Sequence, residues 1–205
     1  MDKIKYAYKR TKRKIVKAFL HFLVLVVYRA KKVGENNIPK EGSYIICANH
    51  VHALDAPSLV LSLRREVIFI AKEELFKNKF FKWLGETFDV IAIKRGKGDI
   101  DAMKLAFKAI KNEKLLGIFP EGTRNGMEKG EKLHNGAALI ALKTNTKIIP
   151  VGIQGSFKFF KKIKFNIGKP MDFSEYAGKK NDKEVLDMIT KQVMDEVVRL
   201  TNEKV

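Results

Sequence analysis

With 205 residues, 45% of them hydrophobic and 31% charged, the chain is long enough for one sizeable core and too apolar for wholesale disorder. Its formal net charge of +18 points to a polyanionic partner, either nucleic acid or an anionic membrane surface. The single cysteine, Cys47, excludes an internal disulfide; within Tyr44-Ile-Ile-Cys-Ala48 it reads as a small core residue, not a nucleophile.

The charge is unevenly spread. Residues 1–32 hold 11 Lys/Arg and one acid, so over half the excess sits in less than a sixth of the chain. Ile4, Tyr8, Thr11 and Ile15 share one helical face there. An eleven-residue run, Ala18–Tyr28, follows and is interrupted only by His21. A bilayer span needs about 20 apolar residues, so this run is too short. Basic residues flank it on both sides, and no small-residue cleavage site follows, so it is not a signal peptide. Residues 1–33 therefore read as a basic amphipathic helical membrane anchor lying in the interface. Residues 34–205 read as the folded domain.

A break at Gly34–Gly42 opens that domain. Strands are predicted over 43–48, 66–71, 88–93, 115–119, 147–153 and 163–168, from short runs rich in Ile, Val and Phe. Helices are predicted over 56–64, 99–112, 135–144 and 182–202. In the last, Val185, Ile189, Val193, Val197 and Leu200 form an apolar stripe. A capping-box-like Asn181-Asp-Lys-Glu184 precedes it. The alternation predicts an α/β fold: a mostly parallel central sheet flanked by helices. Ligands of such sheets bind beyond the carboxyl ends of the strands.

Two motifs sit at predicted strand ends. Asn49-His50-Val51-His52-Ala53-Leu54-Asp55 sets a histidine five residues before an aspartate. A neutral imidazole accepts a proton near pH 7, and a carboxylate holds its tautomer. The motif has no nucleophile of its own, which suggests that the substrate supplies the attacking hydroxyl. Asp55 also suits the N-cap of the next helix, and the two roles are compatible. The second motif, Phe119-Pro120-Glu121-Gly122-Thr123-Arg124-Asn125, is a sharp turn bearing a hydroxyl and a guanidinium suited to phosphate. Lys72, and Lys94 with Arg95, end two further strands. Together these residues make an electropositive rim beside the candidate base. No His/Cys cluster suggests a metal. Aromatic and lysine residues interleave at Phe76–Leu84 and Phe157–Lys162, a pattern suited to a headgroup region.

Asn49-His50-x4-Asp55, the Lys94-Arg95 strand end, Phe119–Arg124 and Ile149-Pro150-Val151 follow the order of the four blocks of the glycerolipid acyltransferases. Ala71-Lys72-Glu73-Glu74-Leu75 resembles a further stretch of that family. Over residues 38–155 the chain is similar to the 1-acyl-sn-glycerol-3-phosphate acyltransferases. The resemblance implies transfer of a fatty acyl group from a thioester to the sn-2 hydroxyl of lysophosphatidic acid. It makes His50 the general base and Asp55 its holder. Glu121, Gly122, Thr123 and Arg124 would bind the glycerol phosphate, helped by Lys72 and Arg95. The acyl donor would be acyl-CoA or acyl-carrier-protein, with no cofactor. The partner would be an anionic membrane at its cytoplasmic face, with the protein peripheral, and no nucleic acid is expected. The alternatives are glycerol-3-phosphate or another lysophospholipid as acceptor, and a non-catalytic basic module that binds membrane or nucleic acid. The chain departs from the family pattern at Asn125, where serine is common, and at His134-Asn135, where a basic residue often stands.

Overall fold

The computed structural model describes residues 29–88, 90–93, 100–155, 157, 161–179 and 182–203, with 15, 16, 18, 19, 21, 22 and 26 of the N-terminal segment. Seven strands form one sheet. They are β1 (Lys31–Val33), β2 (Tyr44–Ala48), β3 (Val67–Lys72), β4 (Ile91–Ile93), β5 (Leu115–Ile118), β6 (Ile148–Gly155) and β7 (Ile163–Ile167). Their order is β1-β7-β6-β2-β5-β3-β4. From residue 29 onward, the helices among the described residues are α1 (Asp55–Ser62), α2 (Lys79–Phe88), α3 (Ile100–Lys111), α4 (Gly136–Thr144) and α5 (Lys183–Asn202).

The sheet is mostly parallel, as predicted. β6–β2–β5–β3–β4 run the same way, so their carboxyl ends share one rim. Only β6 and β7 pair antiparallel. The seven residues between them are too few for the crossover a parallel pair requires.

Alternation along the strands sorts side chains between two cores. Ile45, Cys47, Leu116 and Ile148 face α3, α4 and α5. Ile46, Ala48, Leu115, Ile149 and Val151 face the opposite layer with Leu59 of α1. The predicted α5 stripe is buried at Val185, Ile189, Val193, Val197 and Leu200. Each such side chain contributes about 1.5–3 kcal/mol. The Asp182 carboxylate caps α5, accepting from the amides of Glu184 and Val185.

Four differences from the sequence reading have physical causes. β1 lies inside the segment 1–33 assigned to the anchor; with two lysines in three residues it carries no strand pattern, and pairing with β7 makes it a strand. The predicted strand 88–93 shortens to Ile91–Ile93, because α2 runs to Phe88. α2 itself is not predicted, because its aromatic and lysine residues interleave; Phe81 packs beside Leu61. Finally, Asp55 is the first residue of α1 and not its N-cap. The cap position is Leu54, which makes no side-chain cap bond, while the Asp55 carboxylate turns back to amides that precede the helix.

The rim away from the strand ends is pinned by Arg65. Its guanidinium donates to the carbonyls of Pro39, Glu41, Gly42 and Glu113. In the N-terminal segment, residues 15, 16, 18, 19, 21, 22 and 26 are helical. His21 Nδ1 donates to the carbonyl of Leu61 in the last turn of α1 (2.5 Å). Ile15, Phe19, Phe22 and Val26, spaced by four, three and four, are each more than half exposed. Among the described residues no helix is long and apolar enough to cross a membrane.

Candidate active site

The site begins where β2 ends. Asn49 extends the β2–β6 pairing through its side chain: Nδ2 donates to the Ile153 carbonyl (3.0 Å), and Oδ1 accepts from the Ile153 amide (2.7 Å). The next residue, His50, leaves the sheet at the rim. The turn at 51–54 then brings Asp55 back under the ring, which straight helical spacing would not do.

His50 Nδ1 lies 2.8 Å from Asp55 Oδ2. A carboxylate only accepts, so the proton sits on Nδ1 and the Nε2 lone pair is free. The Asp55 side chain is fully buried, whereas that of His50 is 21% exposed. Oδ2 also accepts from the amides of Val51 and His52, each at 2.7 Å. Oδ1 is buried and without a hydrogen-bond partner. The arrangement therefore combines a fixed carboxylate, one imidazole tautomer and an available proton acceptor.

The ring plane is set by an aromatic column. His50 stacks on Phe119 with centroids 4.3 Å apart, and Phe119 stacks on Phe69 at 5.1 Å. Gly117 lies beneath, where a Cβ would come within 2.5 Å of the Phe69 ring. Beside His50, the exposed His52 stacks on Phe157 at 4.7 Å.

The turn after β5 wraps the same point. His50 donates its amide to Glu121 Oε1 (2.9 Å), and its carbonyl accepts from the Asn125 amide (2.6 Å). Glu121 Oε2 accepts from the Met127 amide (3.0 Å). Gly122 has φ +64°, a backbone conformation that favours glycine, and a Cβ there would lie 2.5 Å from the exposed His134 ring. The Thr123 hydroxyl donates to Glu131 (2.9 Å). Arg124 is exposed.

A family model described as Acyltransferase matches residues 29–154, more than half of the chain. The chain belongs to the acyltransferase family. Two bacterial relatives bear the name 1-acyl-sn-glycerol-3-phosphate acyltransferase. That of Borreliella burgdorferi is 33% identical over 66% of this chain and 55% of its own length. That of Bacillus subtilis is 27% identical over 84% of this chain and 88% of its own. The chain thus spans just over half of the first relative and most of the second. The crystal structure of the 1-acyl-sn-glycerophosphate (LPA) acyltransferase PlsC from Thermotoga maritima shares the fold. Its TM-score is 0.64 and its identity 26%, over 96% of this chain and 84% of that one.

Measured against the motifs of this acyltransferase, the structure brings His50, Asp55, Glu121, Gly122 and Thr123 together around one turn, with Arg124 on its exposed side. The Lys72 backbone ends β3 on the same rim. Arg95 and Lys94 lie outside the described residues. The sequence reading assigned no role to Phe119 or to the Asn125 amide. An aromatic residue opening the Arg-bearing turn was the available signal for the first. A backbone amide carries no sequence signal at all.

Burial pushes the Cys47 thiol far above its ordinary range, which keeps it an inert core group.

Proposed function

We propose that the chain transfers an acyl group from a thioester to the sn-2 hydroxyl of 1-acyl-sn-glycerol-3-phosphate. The carrying observation is the His50–Asp55 pair, whose free Nε2 sits beside the Arg124 turn. His50 Nε2 takes the proton of the acceptor hydroxyl as its oxygen bonds to the thioester carbonyl carbon. Asp55 stabilises the imidazolium. The tetrahedral intermediate then collapses, the C–S bond breaks, and the departing sulfur takes the proton from Nε2. The products are phosphatidic acid and a free thiol. A positioned base of this kind contributes on the order of 10²–10⁴ in rate.

Gly122, Thr123 and Arg124 form the acceptor-binding turn, with Lys72 and Arg95 as further phosphate ligands. Arg124 suits this role because its exposed fork is shaped for phosphate oxygens. The donor is acyl-CoA or acyl-carrier-protein, both acidic and complementary to a +18 chain. The protein works as a peripheral enzyme at the cytoplasmic face of the membrane. The exposed stripe Ile15, Phe19, Phe22 and Val26 supports a lipid rather than a nucleic-acid partner, because apolar insertion has no use on a duplex backbone.

The test crosses both donors with lysophosphatidic acid and glycerol-3-phosphate on purified protein, with His50→Ala as control. Transfer to lysophosphatidic acid that His50→Ala abolishes is expected. Transfer only to glycerol-3-phosphate would move the acceptor assignment. Unchanged turnover in His50→Ala would defeat the base assignment.

A further inference from the structure

Glu121 follows the strand end that leads to Arg124, but its chemistry points elsewhere. It is only 3% exposed. Both carboxylate oxygens are engaged by backbone amides: Oε1 by His50 and Oε2 by Met127. A carboxylate satisfied at both oxygens and sealed from water offers nothing to an incoming glycerol hydroxyl, and it would repel a phosphate. We propose that Glu121 is a positioning residue for the base and not a ligand of the acceptor. This rests on the reading of His50 as the base.

The geometry shows what Glu121 holds. The His50 ring is fixed by Asp55 on its edge and Phe119 on its face. The preceding residue is fixed to β6 through the Asn49 side chain. Among the described residues, the peptide groups of His50 itself are held by the 121–127 segment, its amide by Glu121 and its carbonyl by the Asn125 amide. Glu121 spans from the base to Met127, so one side chain fixes both the His50 backbone and the closure of the Arg124-bearing turn. Without it, a part-buried His50 N–H loses its partner and the backbone is free to rotate. A displacement of about 1 Å at a reacting group can cost about 10²-fold in rate.

Glu121→Gln separates the two roles. Glutamine supplies one acceptor oxygen and turns an NH2 donor toward the second amide. Positioning predicts that kcat falls about 10–100-fold while the KM for lysophosphatidic acid stays within about twofold. A tenfold rise in KM with kcat retained would overturn the proposal. Equilibrium binding of lysophosphatidic acid to His50→Ala and to His50→Ala/Glu121→Gln gives a second readout, free of turnover. Equal Kd is expected, and tenfold weaker binding in the double variant would refute positioning. If Glu121→Gln does not melt cooperatively, Glu121→Asp keeps the charge and shortens the reach. It should show the same kcat loss at unchanged KM, and full activity would overturn the idea. Absence of transfer by the wild-type chain would instead defeat the functional reading, so the two failures are distinguishable.

Discussion

Asp55→Asn preserves the shape of the side chain and removes its charge. If the amide oxygen takes the place of Oδ2, it can accept from His50 Nδ1 and from the Val51 and His52 amides as the carboxylate does. Nδ2 then occupies the position of Oδ1, which is buried and without a partner. Stranding donors there costs about 1–3 kcal/mol. In a chain of this size that lowers the melting temperature by about 2–12 °C. The opposite rotamer aims an NH2 group at three donors and is worse.

The catalytic loss is larger. Two unit charges about 4 Å apart at an effective dielectric of about 20 interact by about 4 kcal/mol. Each factor of ten in rate corresponds to about 1.36 kcal/mol. An imidazolium that forms without its carboxylate should therefore slow kcat about 10³-fold. The KM for lysophosphatidic acid should hardly move, since Asp55 is fully buried behind the ring. Thiol release from the acyl donor, followed with a chromogenic disulfide, measures kcat directly. A folded Asp55→Asn protein that loses less than tenfold would refute the dyad.

Arg124→Ala should raise the KM for a phosphate-bearing acceptor about 10–100-fold, the worth of one or two charged hydrogen bonds, and leave an uncharged acceptor unaffected. An equal loss with both acceptors would remove Arg124 from phosphate recognition. Phe19→Asp with Phe22→Asp should cut sedimentation with anionic vesicles by at least tenfold at an unchanged melting temperature, as burying one Phe is worth about 1.5–3 kcal/mol. Unchanged vesicle binding would exclude the exposed stripe as the contact. Gly117→Ala pushes a methyl into the Phe69 ring and should cost about 1–3 kcal/mol in urea denaturation. Because Phe119 stacks between Phe69 and His50, kcat should fall as well, and wild-type kcat would show that the column does not position the base.

Much of the sheet was legible because β2, β3, β5 and β6 are short and largely apolar, and β7 alternates Ile163, Phe165 and Ile167 with Lys164 and Asn166. α5 was legible because its stripe repeats at helical spacing. β1 escaped because Lys31-Lys32-Val33 has strand geometry only through its partner β7. α2 escaped because its lysines alternate with aromatics, and it is the packing of Phe81 beside Leu61 and the burial of Gly85 and Thr87 that mark its inner side. The pair His50–Asp55 could be read from spacing and residue type. The backbone clamp on His50 could not, since the amides of Asn125 and Met127 belong to no residue type. Glu121 could be read toward the acceptor hydroxyl or toward Arg124, because sequence places it in the same turn without revealing which way its carboxylate points.

The His21 bond to Leu61 bears on how this enzyme is best handled. Asp55 and Leu61 lie six residues apart on α1, so about 9 Å of helix axis separates the residue that carries the carboxylate from the one whose carbonyl His21 holds. A shortened version, made to avoid detergents by trimming the apolar N-terminal segment, would remove the His21 hydrogen bond from the far end of the helix that carries Asp55. Such a preparation is expected to be easier to purify and poorer as a catalyst even toward fully dissolved substrates.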